Sequence, residues 1–194
     1  MGCCLKIIKN HLNEILISFA LYWIFAGYLW FLPELKSTAI TYFVFLPAGV
    51  KLFAVLVFQW RGAVGTGLAI FSRLIITDSN QPWTSWLIVA ITVSITLYVV
   101  AQLMLKLLSV NRDLSNFHYY QIVLIALVTS IVNGFTFAYV VHSLTDSEMS
   151  SGLFHSGFNA VIGNFAGNAV FVCTALFIVQ KKMAIKNFLK SLSR

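Results

Sequence analysis

The sequence predicts an all-α fold of the polytopic membrane class, a bundle of about six transmembrane helices with a broken second helix and both termini cytoplasmic. Three observations carry this. Of the 194 residues, 59% are hydrophobic and 10% charged, at a mean hydropathy of +0.87, whereas a soluble domain carries about 25% charged residues. The apolar residues fall into six runs near the ~20 residues a bilayer-crossing helix needs. The Lys and Arg residues also sort to one side of an alternating topology. This composition excludes a cytosolic enzyme, a disordered chain and a secreted disulfide scaffold. Its three cysteines make no framework, because Cys3 and Cys4 are adjacent and Cys173 sits in an apolar run.

The first run, within 13–33, is too long for a signal-peptide core and no small-x-small cleavage site follows it, so it reads as a retained span. Met1-Gly2-Cys3-Cys4 superficially resembles a dual-acylation signal, but position 6 is Lys rather than Ser or Thr. The second run, 39–60, is interrupted by Pro47-Ala48-Gly49 and then Lys51. Proline removes a backbone donor and a nearby glycine makes a break cheap. In hydrocarbon such a break survives only where protein or a water-filled cavity satisfies the freed carbonyls. The third run, 62–77, has 16 residues, roughly 24 Å of helix against a ~30 Å core. Runs 82–108, 119–142 and 157–180 complete the set, ending a transmembrane domain over 1–180. In the tail, 181–194, Lys182, Lys186, Lys190 and Arg194 oppose Ile185, Phe188, Leu189 and Leu192. That pattern predicts a basic amphipathic helix on an anionic inner leaflet, which accounts for much of the +7 charge without nucleic acid.

With both ends inside, Lys6, Lys9, Arg61, Lys106, Arg112, Lys181, Lys182, Lys186, Lys190 and Arg194 are cytoplasmic, 10 of the 13 cations, and Glu34, Asp78, Asp146 and Glu148 fall outside. This is the expected arrangement of a multi-pass protein of a bacterial inner membrane.

Lys51 is the sharpest chemical signal. An ammonium at mid-span costs about 2.5–3.5 kcal/mol on insertion scales, so it faces the bundle interior and has a partner unless the span is shifted and it snorkels. Arg73 lies about one turn before Thr77-Asp78, and snorkelling to the outer interface is its expected state. If the two cations meet from adjacent spans, they form a spot suited to an anion. No Asp or Glu lies deep in a span; Glu14, at the inner end of the first, is the nearest. A proton-coupled pump is therefore disfavoured.

The last span holds Asn159 and then Gly163-Asn164-Phe165-Ala166-Gly167-Asn168. Gly163 and Gly167 stack on one helical face, as do Asn164 and Asn168. The glycines predict close packing against another helix, and the asparagines hydrogen bonds across the contact or to a ligand. Asn133-Gly134 repeats the combination in the fifth span. Pro47, Gly49, Lys51, Arg73, Asn133, Asn164 and Asn168 are thus the candidate ligand- or partner-binding residues, and the break at Pro47–Gly49, Lys51 and the asparagines of the last two spans are expected to surround one polar cavity near the midplane. His142 and His155 flank one loop, but two ligands without a third do not predict a metal. The chain lacks HExxH, CxxC, Walker and GxSxG motifs, so neither catalysis nor a cofactor is expected. Trp30, Trp60, Trp83 and Trp86 are placed at the interfaces as an aromatic belt, with Tyr22 and Trp23 deeper.

Phe45-Leu46-Pro47-Ala48-Gly49-Val50-Lys51-Leu52, Trp60-Arg61-Gly62 and the stretch to Gly67 resemble the MASE1 family of membrane-embedded sensory domains. The 163–168 stretch is similar to the small-polar-x-x-Gly pattern of that family's last helix. The resemblance covers about a third of the chain. It implies a non-enzymatic sensory or ligand-binding module. Lys51 stands where the family has an uncharged position, and no kinase, cyclase or phosphodiesterase follows residue 194. A stand-alone copy of this kind signals through a partner protein. Size and span count also fit a substrate-binding component of an energy-coupling-factor transporter, docking through the small residues of 62–69, or an accessory subunit of a larger membrane complex.

Overall fold

The computed structural model describes residues 2–35, 42–111, 116, 118–144 and 152–192, with side chains between His11 and Thr174. The chain is all-helical: α1 (Gly2–Trp30), a 3₁₀ turn (Pro33–Leu35), α2 (Pro47–Phe58), α3 (Trp60–Thr77), α4 (Trp83–Leu107), α5 (Tyr119–Leu144) and α6 (Leu153–Leu192). No strand occurs among the described residues. Helical segments over His11–Trp30, Trp83–Leu107 and Tyr119–Leu144 are long and apolar enough to cross a membrane. The loop residues Lys36, Arg112, Asp113, Asp146 and Glu148, and Arg194, lie outside the described residues, as do the side chains of Lys6, Lys9 and the rest of the 181–194 tail.

The sequence makes these helices apolar on every side, which suits a membrane rather than water. On α4, Trp86, Val89, Val93, Leu97, Ala101 and Leu105 recur at helical spacing and are buried, while Ile88, Ile91, Ile95, Val99 and Leu103 form an equally apolar outward stripe. In water that stripe would be an aggregation surface; in lipid it is the solvated face.

α1 packs on α2 and α3, α3 on α4, α4 on α5, α5 on α6 and α6 on α2, which also reaches α4. α2 therefore occupies the middle, and nine of its twelve residues are buried. At twelve residues it is about 18 Å long, too short to cross a bilayer alone. The broken second helix takes this form: residues 42–46 are not helical, and α2 starts at Pro47. The fixed φ of proline suits the first helical turn, where its missing N–H is no loss. The backbone N–H groups of Ala48 and Gly49 donate to the carbonyls of Phe45 and Leu46 at 2.9 and 3.2 Å.

At its other end α2 meets α3 through the single residue Gln59, at φ 56°. So sharp a corner brings the two backbones together: a methyl group on Gly62 would collide with the Ala54 carbonyl. Gly65 is likewise closed by the Ile15 carbonyl of α1. These two glycines of the 62–69 stretch thus face inward, whereas Ala63 and Gly67 border a groove of about 370 Å³ between α3 and α4, lined by apolar side chains with Ser94 and Tyr98.

Two clusters fill the bundle. One joins Tyr22, Ala26, Val50, Ala69, Ile70, Leu74, Trp86, Val89 and Val141, with Phe45 and Phe171 against it. The other joins Leu52, Val55, Leu56, Ala63, Leu97, Ala101, Leu105, Ile125 and Ala126. Trp86 corrects the aromatic-belt expectation. It is 1% exposed, and its indole N–H donates to the Asp78 carbonyl at 2.9 Å, because the turn between α3 and α4 folds over it. Trp30, Trp60 and Trp83 are exposed as the belt requires. α6 runs without a break past residue 180, 40 residues in all and about 60 Å long.

Candidate functional site

The site grows from the break before α2. Non-helical backbone within a membrane protein has to be satisfied by protein, and α6 does this here. The Phe45 N–H donates to the Gly163 carbonyl at 2.9 Å. A methyl group on Gly163 would strike the Tyr42 carbonyl, and one on Gly167 the Phe45 carbonyl. The Gly163/Gly167 face therefore receives non-helical backbone rather than the helix expected of it. α2 itself approaches α6 at Gly49, whose nearest neighbours are the Phe171 side chain and the Gly167 carbonyl.

Held this way, the broken segment presents two aromatic rings inward. Tyr42 and Phe45 stack at 6.1 Å between centroids, 25° from parallel, and Tyr22 of α1 meets Phe45 edge-on at 6.4 Å. Over these rings lie both cations. Lys51 Nζ is 5.2 Å from the Phe45 centroid; Arg73 Cζ is 4.8 Å from the same centroid and 5.3 Å from that of Tyr42. Each such contact contributes about 0.5–2 kcal/mol, the upper end when desolvated.

Lys51 is 5% exposed and Arg73 6%. The interior reading of Lys51 holds, and the snorkelling expected of Arg73 does not. Arg73 points inward because α3 turns that face toward α1 and the broken segment, where its guanidinium also donates to the Tyr22 hydroxyl at 3.5 Å. Glu14, the nearest acid by sequence, is occupied elsewhere: it accepts from Arg61 at 2.6 Å, joining α1 to α3.

A cavity of about 40 Å³ opens beside the cations, lined by Tyr22, Tyr42, Phe45, Lys51, Arg73, Asn133 and Asn164 among others. One water needs roughly 10–15 Å³ measured this way, so the space admits several water-sized groups. A second space of about 10 Å³ adjoins it, lined by Lys51, Asn133 and Asn164 together with Asn168, Thr129 and Ser130. Asn168 donates to the Ser130 hydroxyl at 3.0 Å across the α5–α6 contact. Close approach of those helices rests on Gly134, which faces the Val161 backbone. The Oδ1 atoms of Asn133 and Asn168 are both buried without a hydrogen-bond donor.

Of the residues singled out in the sequence, Lys51, Arg73, Asn133 and Asn164 converge on the larger cavity and Asn168 on the smaller. Pro47, Gly49, Gly163 and Gly167 build the backbone around them and contribute no side chain to either. Asn159 and the histidines His142 and His155 lie apart, and no group of metal-binding side chains occurs among the described residues. Tyr22, Tyr42, Phe45 and Ser130 are functional candidates that spacing alone did not single out. Their available signal was the presence of aromatics within one turn of the break and of a deep tyrosine on α1, groups able to face a cation where carboxylates are missing.

Comparison with family models, curated proteins and solved structures finds no match to this chain.

Proposed function

We propose that the chain is a non-enzymatic sensory or ligand-binding module of a bacterial inner membrane, MASE1-like in character, which acts through a protein partner. The observation that carries this reading is the polar cavity, in which two buried cations and two buried asparagines meet inside an apolar bundle. Such groups are costly in hydrocarbon and need an interior use. Among the described residues that line it there is no Ser, Thr or Cys and no His or carboxylate to act as a base, so binding fits the cavity better than turnover. Its wall includes α6, the longest helix, which gives an occupied cavity a physical connection to a partner outside the bundle.

Native purification in mild detergent, followed by mass spectrometry, tests the reading. The expected companion is a signalling protein whose recovery changes in Lys51→Met. Recovery of an ATPase pair would replace this reading with the uptake-transporter one. Recovery of a large assembly, insensitive to Lys51→Met, would replace it with an accessory subunit.

A further inference from the structure

Resting on the cavity as the ligand site, we propose that it takes a single halide ion, of chloride or bromide size, held by the Lys51 ammonium and the amide groups of Asn133 and Asn164. Lys51 is 5% exposed, and its ammonium lies over one face of the Phe45 ring. It makes no hydrogen bond or ion pair with any described residue. A primary ammonium has three N–H donors, and a ring face covers only one side of it. Among the described residues, the sealed polar atoms without a partner are Arg61 Nε, Ser94 Oγ, Gln102 Nε2, Asn133 Oδ1 and Asn168 Oδ1. Lys51 Nζ is unpartnered yet not sealed, so the ammonium opens into the space beside it.

The amides present the same sign. Asn133 turns its Oδ1 into the wall, whereas its Nδ2 is neither bonded nor sealed and faces open volume. Both amide atoms of Asn164 are in that condition. Lys51, Asn133 and Asn164 line the cavity of about 40 Å³ and also the space of about 10 Å³, so the three meet where the two adjoin. The smaller space suits water. Thr129 and Ser130 direct their hydroxyl protons to the Ile125 and Ala126 carbonyls and offer it only lone pairs. The larger has N–H donors on its wall and no carboxylate among the described residues that line it. Unpaired N–H donors in an apolar surround call for an acceptor, and a charged one is held most strongly. Arg73 is already engaged by Tyr22, by the aromatic rings and by further contacts, so it enters only as a second positive charge on the wall. Size then selects. At roughly 10–15 Å³ for each water, about 40 Å³ has room for a halide with a water or two and none for sulfate, phosphate or a carboxylate of several carbons.

The test uses the full chain in mild detergent, in sodium gluconate at fixed ionic strength, read by thermal unfolding and calorimetric titration. The probes are sodium chloride, bromide, sulfate and acetate, with choline chloride as the cation control. Chloride and bromide are expected to bind saturably and to raise the unfolding temperature, with sodium and choline equivalent. Sulfate and acetate should give no saturable response. Lys51→Met should weaken bromide roughly tenfold or more, and Asn133→Ala about tenfold, since each removes a hydrogen bond to a charge. Glu14→Gln, outside the cavity, should leave halide binding unchanged. Should Lys51→Met fail to fold, Asn133→Ala and the ranking of salts on the wild type decide. A response that follows ionic strength or sodium, tighter binding of acetate or sulfate, no halide response, or wild-type bromide affinity in Lys51→Met would each overturn the proposal. The general reading fails differently: halide binding with no effect on any partner would remove the sensory role and keep the site, whereas a partner sensitive to Lys51→Met with no halide response would do the reverse.

Discussion

Along α2 the surroundings change within one helical turn. Val50 belongs to the cluster of Tyr22, Trp86, Val89 and Leu74, fringed by Phe45 and Phe171, and this is where the cavity and both cations lie. Leu52, Val55 and Leu56 belong to the other cluster, whose buried members are all aliphatic. Aromatic faces accept a cation at 5 Å or so; leucine and valine have nothing to offer one. The aromatic end can therefore hold charge beside the larger cavity, while the aliphatic end is held by contacts that each contribute only about 0.1–0.2 kcal/mol and matter by their number. Substitution should reveal two ends governed by different physics.

The largest effect is expected where backbone meets backbone. Gly163→Ile together with Gly167→Ile drives side chains into the Tyr42 and Phe45 carbonyls. Overpacking usually costs 1–3 kcal/mol per site, and rigid backbone yields less than side chains do. Folded yield in detergent should collapse. Gly27→Ala, where nothing lies within 4 Å of the added carbon, should leave yield unchanged; a similar loss in both would show that the Gly163/Gly167 face is not special.

Next comes the aliphatic end. Leu97→Ala removes a side chain that is 5% exposed and should lower stability by about 2–4 kcal/mol, read from detergent-dependent unfolding. At the aromatic end the sign reverses. Lys51→Met deletes a buried charge and keeps the volume, so stability should hold or rise by about 1–3 kcal/mol, even as ligand or partner binding is lost. If Lys51→Met and Leu97→Ala destabilised equally, the contrast between the two ends would collapse.

The smallest effect belongs to the Arg61–Glu14 pair, whose side chains are 28% and 27% exposed. Glu14→Gln should cost no more than about 1 kcal/mol and leave the cavity unaffected. A loss as large as that of Leu97→Ala would mean that this bridge, rather than the clusters, ties α1 to α3.

The element boundaries that could be read in advance were those with strong local causes. Runs 82–108 and 119–142 became α4 and α5 with ends within two residues, because Pro82 and the polar 111–118 stretch interrupt uniformly apolar sequence. Run 39–60 reads as one interrupted span, yet its residues 42–46 are not helical. Proline favours the first turn of a helix as readily as it breaks one, and only the tertiary acceptor at Gly163 decides between the two. The Lys51–asparagine grouping was legible because a charge and amides in an apolar bundle have few places to go. Arg73 was not, since one turn from a loop a long side chain reaches lipid headgroups and interior alike, and the aromatic wall that draws it inward comes from residues 28 positions earlier and more.

The corner at Gln59 has a mechanical consequence. Helices joined by several residues can tilt independently; those joined by one, with Gly62 already against the Ala54 carbonyl, have no slack between them. α2 and α3 then behave as a bent rod with Gln59 at its elbow and one cation on each arm. A shift of α2 is then passed to α3 as a whole, and the Ile15 carbonyl of α1, seated against Gly65, lies directly against the second arm.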